Sequence, residues 1–133
     1  MDLWLEANRW LHIAIGSIGL AAFWVPIVTR KGSPIHRTVG QAFRYSGWVV
    51  IASALIAVGL YLSALISAGQ GPAEQPENWA FLLFLGYLAL ITGLALSHGM
   101  AVLRHKRDLR QLKSPYRMLL AWLGITASAA LIL

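Results

Sequence analysis

The stretch WLHIAIGSIGLAAFWVPIVT, Trp10 to Thr29, decides the fold: twenty residues without a charge, set between Arg9 and Arg30. A helix needs about 20 apolar residues to cross a ~30 Å hydrocarbon core at 1.5 Å per residue. Working outward, twenty-nine uncharged residues separate Arg44 from Glu74, of which Tyr45 to Ser67 is the apolar part. Twenty-six more separate Glu77 from Arg104, with the span running from about Trp79 to Leu103. After Arg117 the chain is uncharged for sixteen residues, Met118 to Leu133. Three segments therefore qualify as spans. The fourth reaches only about 24 Å, which leads us to expect a short crossing in a fragment or a minimal member of a larger family.

Composition agrees. Of 133 residues, 58% are hydrophobic and 12% charged, whereas soluble domains run near half apolar and roughly a quarter charged. The absence of cysteine excludes a disulfide framework, a thiolate zinc site, an iron–sulfur cluster and a cysteine nucleophile. The first span is not expected to be a cleaved signal, because Met1 to Arg9 carries Asp2 and Glu6 against Arg9, where a signal would be basic.

The loops set the expected orientation. Arg30 to Arg44 carries +4 and Arg104 to Arg117 carries +5 with His neutral, against −1 for the leading segment and −2 for residues 68–78. Both basic segments fall on one side, which the positive-inside rule makes cytoplasmic. The expected fold is all-α: an integral membrane bundle of four antiparallel transmembrane helices, N-terminus outside, forming a single domain over residues 1–133. Trp and Tyr residues near the span ends fit interfacial belts; Tyr87, mid-span, is the exception. A net charge of +6 could suggest nucleic acid, but its confinement to juxtamembrane loops points to anionic lipid headgroups. No nucleic-acid partner is expected. A homo-oligomer or a membrane partner subunit is.

No Asp, Glu, Lys or Arg lies within any span. Ion-coupled transport usually needs such groups in the membrane, so an autonomous pump is not expected. Ser17 lies five residues after His12, on another helix face, and nothing near it resembles an oxyanion loop. The four histidines are then the candidates for chemistry. His12, Gly16, Gly19 and Phe23 recur at i, i+4, i+7 and i+11 and share one helix face. They form either a small-residue packing surface or a groove for a flat lipid or quinone. His98 and His105, seven apart, lie about 10 Å apart along a helix, so the two cannot clamp one haem iron from both faces, and each would need a partner from another helix. His36 with His98 is the one bis-imidazole pairing that the topology allows. No cofactor is expected; haem b, on His36, His98 or His12, is the alternative.

The most distinctive run is Arg30-Lys-Gly-Ser-Pro-Ile-His-Arg-Thr-Val-Gly-Gln41. Gly32 permits a positive φ at the end of helix one, and Pro34 rigidifies the turn. His36 and Arg37 enter the next helix. Lys31, His36 and Arg37 are the expected headgroup or partner contacts. With His12 in helix one, the pattern Lys31-Gly32, three residues, His36-Arg37, two residues, Gly40 resembles the domain of unknown function 2306 family of predicted bacterial membrane proteins. The resemblance covers roughly Leu11 to Ser53, and more loosely His98 with the basic stretch after it. It implies a multi-helix inner-membrane protein and carries no activity with it. The reading is an accessory or structural multi-pass protein of a bacterial cytoplasmic membrane. Its alternatives are a haem-b electron carrier and a lipid- or quinone-binding module.

Overall fold

The computed structural model describes residues 2–105 and 114–132. Most of the second basic segment, residues 106–113, and the final residue of the fourth span lie outside them. The described residues form four helices and no strand: α1 Asp2–Val28, α2 Pro34–Ser67, α3 Pro76–Arg104 and α4 Pro115–Ile132. Three of the four start on proline, whose fixed φ suits the first helical position and whose missing N–H costs nothing there.

Local chemistry sets the ends. Pro26 sits in the last turn of α1, where it removes one helical donor, and the helix stops at Val28. Arg30 to Ser33 then forms a turn closed by Ser33 N–H donating to Arg30 O at 3.1 Å. Its third residue, Gly32, has φ +83°, the left-handed position that a type II turn reserves for glycine. Gly32 thus shapes the turn after α1 rather than capping the helix directly. Ser33 caps α2: its Oγ accepts from the His36 backbone N–H at 3.2 Å, an N-cap bond worth about 1 kcal/mol. At the other end of α2, Gly69 N–H donates to Ile66 O and Gln70 N–H to Leu65 O, both at 3.0 Å. These two bonds, with Gly69 at φ +67°, make a Schellman stop.

The helices outrun the apolar segments. α2 has 34 residues, about 51 Å, so its first three turns, carrying Arg37 and Arg44, extend beyond the hydrocarbon length of its apolar part. Charge marks where a span must leave lipid; it does not break a helix. Leu3–Val28, Pro34–Ser67 and Pro76–Arg104 are each long and apolar enough to cross a membrane.

The chain divides into two compact units, Met1–Ala57 and Val58–Leu133. The first holds α1 and the leading part of α2; the second holds the end of α2 with α3 and α4. Little of either is buried. The buried apolar residues are Ala22, Ile51, Leu82, Ala89 and Ala101, whereas Trp24 is 61% exposed, Leu83 62% and Leu103 76%. Water would penalise that surface by about 25 cal/mol per Å². Lipid does not, which is why helices of this composition stand with so small a core.

Candidate functional site

Within the first unit, α1 and α2 meet along a seam of small and polar side chains. Ser53 and Ser46 are buried there, 2% and 6% exposed. His12 Nδ1 lies 2.8 Å from Ser53 Oγ, and Asn8 Nδ2 donates to Ser53 O at 2.9 Å. One and two turns further along α1, Gly16 faces Val50 and Gly19 faces Ser46. The Phe23 and Phe43 rings close the seam with centroids 5.8 Å apart.

Glycine at 19 is a packing requirement. A Cβ there would stand 2.6 Å from Ser46 Oγ and 3.2 Å from Ser46 Cβ, closer than real carbon contacts come. The Gly16–Gly19 face of α1 is therefore occupied by α2 rather than open to a flat ligand.

Hydrogen counting sets the direction of the His12 contact. Ser53 Oγ carries one hydrogen and donates it to Val50 O at 2.9 Å. The His12 contact coexists with that bond only if the imidazole donates from Nδ1. Nδ1 is then the donor of this contact and Ser53 Oγ the acceptor. With Ser53 so enclosed, no substrate carbonyl reaches its Oγ without parting the helices, so the pair is suited to holding helices together rather than to nucleophilic attack.

The turn residues stand apart from this seam. Arg37 Nε donates to Gly32 O at 2.9 Å, which ties the head of α2 back to the turn, while Lys31 and Arg37 are exposed. His36 is half-buried, and its Nδ1, like Thr29 Oγ1, is a buried atom without a hydrogen-bond partner. About 24 Å of α1 separates His12 from the turn, so His12 and His36 do not meet. His98 is exposed on α3 in the second unit, and His105 caps α3 with its backbone N–H on Ala101 O at 2.8 Å. Among the described residues, no three His, Asp or Glu side chains converge as a metal site would need.

Three contributors escaped sequence reasoning. Asn8 sits among the charges that precede the span, and Ser46 and Ser53 read as ordinary small residues. Their spacing was the available signal. Ser46 and Ser53 are seven apart, as are Gly19 and His12, and the two pairs face each other. In the second unit, α3 and α4 pack through Gly124 against Ile91 and Leu94, and Trp79 Nε1 donates to Gln70 O at 3.0 Å, fastening the start of α3 to the preceding loop.

The class these observations define is an all-α protein with three helices fit to cross a membrane. Compared with models of protein families, with curated proteins and with solved structures, the chain matches none.

Proposed function

We propose that this is a multi-pass accessory or structural protein of a bacterial cytoplasmic membrane, four helices running antiparallel with the N-terminus outside. One observation carries the reading: four polar and small residues of α1 are spent on α2. Asn8, His12, Gly16 and Gly19 all face it: the first two meet Ser53, the most buried side chain in the unit, and the glycines meet Val50 and Ser46. A seam of this kind fixes two helices against each other and leaves an apolar exterior for lipid or a partner subunit. The antiparallel order is supported by the register, since partners on α2 run from Ser53 back to Phe43 as α1 advances from Asn8 to Phe23. Lys31 and Arg37, exposed on the turn, suit anionic headgroups, with His36 beside them. The likeness of Lys31-Gly32, His36-Arg37 and Gly40 to the domain of unknown function 2306 family supports the same placement.

The haem alternative retains one favourable observation: with Nδ1 of His12 engaged by Ser53, Nε2 is the ring nitrogen left to meet a metal. An absorption spectrum of the purified protein separates the two readings. The accessory reading predicts no Soret band. A Soret band lost in His12→Ala, His36→Ala or His98→Ala would replace it with the electron carrier. Orientation is tested in this cysteine-free chain by single-cysteine labelling. Ser33→Cys should resist an impermeant maleimide in intact cells and Gln75→Cys should react; the reverse pattern would invert the topology.

A further inference from the structure

The second unit contains hydroxyl groups that the fold does not use. Elsewhere in α3 and α4, serine and threonine hydroxyls bond back to their own helix: Thr92 to Leu88 O at 2.7 Å, Ser97 to Leu94 O at 2.9 Å and Thr126 to Trp122 O at 3.1 Å. That is how serine and threonine are tolerated in a span. Tyr87 and Ser128 differ. Neither hydroxyl has a hydrogen-bond partner among the described residues, both residues are half-buried, and both line one cleft between α3 and α4. Gly124 forms the floor of that cleft where it meets Ile91. Tyr87 lies one turn before Ile91, and Ser128 one turn after Gly124.

Depth makes the Tyr87 hydroxyl expensive. Tyr87 is three residues from the middle of α3, Pro76–Arg104, or about 5 Å. At that depth there is no water to bond a hydroxyl, and an unpaired polar group costs several kcal/mol. A tyrosine cannot fold back onto its own helix as a serine can. Its hydroxyl needs a partner that enters the cleft.

We infer that the α3–α4 cleft binds a lipid-soluble quinone, with the Tyr87 and Ser128 hydroxyls donating to its carbonyl oxygens. The cleft is a groove of about 420 Å³, more open than enclosed, so a ligand arriving through the bilayer can enter it from the side. Its walls, Ile91, Leu94 and Ala121, are apolar. The depth selects the ligand. Phospholipid and sterol polar groups stay at the interface, and an acyl chain has nothing to accept a hydrogen bond. An uncharged ring with carbonyl acceptors is at home in the hydrocarbon and pairs with both donors. This site is separate from the His12 face, which α2 covers, and it stands independently of the accessory reading.

The test uses the full chain in phosphatidylcholine nanodiscs with a short-chain isoprenyl benzoquinone, binding being read by tryptophan quenching. An isoprenyl benzene without carbonyls serves as the control. Photolabelling with an azido-benzoquinone locates the site. The expected result is saturable quinone binding, at least tenfold weaker binding of the control, and label on the Tyr87 and Ser128 segments. Tyr87→Phe, which keeps the ring and so the packing, should weaken binding roughly 2- to 10-fold, the loss of one neutral hydrogen bond. The double variant Tyr87→Phe/Ser128→Ala should weaken it further. Equal affinity for the control, unchanged affinity in the double variant, or label spread over lipid-facing positions would each overturn the inference.

Discussion

In the first unit α1 meets α2 through Asn8, His12 and Ser53, polar groups that satisfy one another in a closed seam. In the second, α3 meets α4 through Gly124, Ile91 and Leu94, an apolar contact flanked by two hydroxyls that satisfy nothing. The contrast separates two uses of polar groups in a membrane. Where donors and acceptors are matched inside the chain, they specify which helices pair and in what register, at an average worth of only ~0.6 kcal/mol per interhelical bond. Where they are left unmatched beside a cleft, they give a ligand something to recognise. The first unit therefore carries structure and the second carries the binding capacity.

The sharpest way to break this comparison is the same substitution on both sides. Gly19→Ala drives a methyl group onto Ser46 Cβ and Oγ, and unfolding in mixed micelles should show a loss of about 1–3 kcal/mol. Gly124→Ala meets Ile91 Cδ1 at 3.0 Å and Leu94 Cδ2 at 3.8 Å, both the far ends of flexible side chains. Its cost should be offset by the ~1 kcal/mol gain of alanine over glycine in a helix, leaving stability near wild type. Equal losses would mean that the α1–α2 seam is no tighter than its counterpart.

A serine pair sharpens the point at smaller scale. Ser53→Ala removes the acceptor for His12 and should cost about 1 kcal/mol, within the ~1.7 kcal/mol ceiling for such bonds. Ser128→Ala removes an unpaired hydroxyl and should leave stability unchanged or slightly raised. The smallest effect is expected at His98→Ala. That residue is exposed on α3, so the loss should lie below that of Ser53→Ala when both are measured by the same unfolding titration.

The spans were legible in the sequence because charge punctuates them: Arg9, Arg30, Arg44, Glu74, Glu77 and Arg104 bracket three apolar runs. Helix ends were not, because Asp2, Glu6, Arg37 and Arg44 sit comfortably on helical turns that project past the hydrocarbon. The His12–Gly16–Gly19 face was also legible, since its period is helical. Its occupant was not, because a face read from one helix says nothing of which neighbour fills it. Only the matched spacing of seven in Ser46 and Ser53 held that information. Tyr87 stood out as an aromatic away from the interface, but its meaning depended on Ser128, on another helix and forty-one residues later.

The account rests most directly on the closed seam between α1 and α2, and cysteine chemistry tests it without a background, since the chain has no cysteine of its own. A Cβ at position 19 lies 3.2 Å from Ser46 Cβ, close to the ~3.5–4.5 Å that a disulfide spans. In native membranes treated with a mild oxidant, the double variant Gly19→Cys/Ser46→Cys should form an internal disulfide that blocks maleimide labelling and reopens with reductant. Ile18→Cys/Ser46→Cys, whose first residue is exposed on another face of α1, should stay reduced. Full maleimide labelling of both pairs after oxidation would contradict the seam, and with it the assignment of His12, Gly16 and Gly19 to holding the helices together.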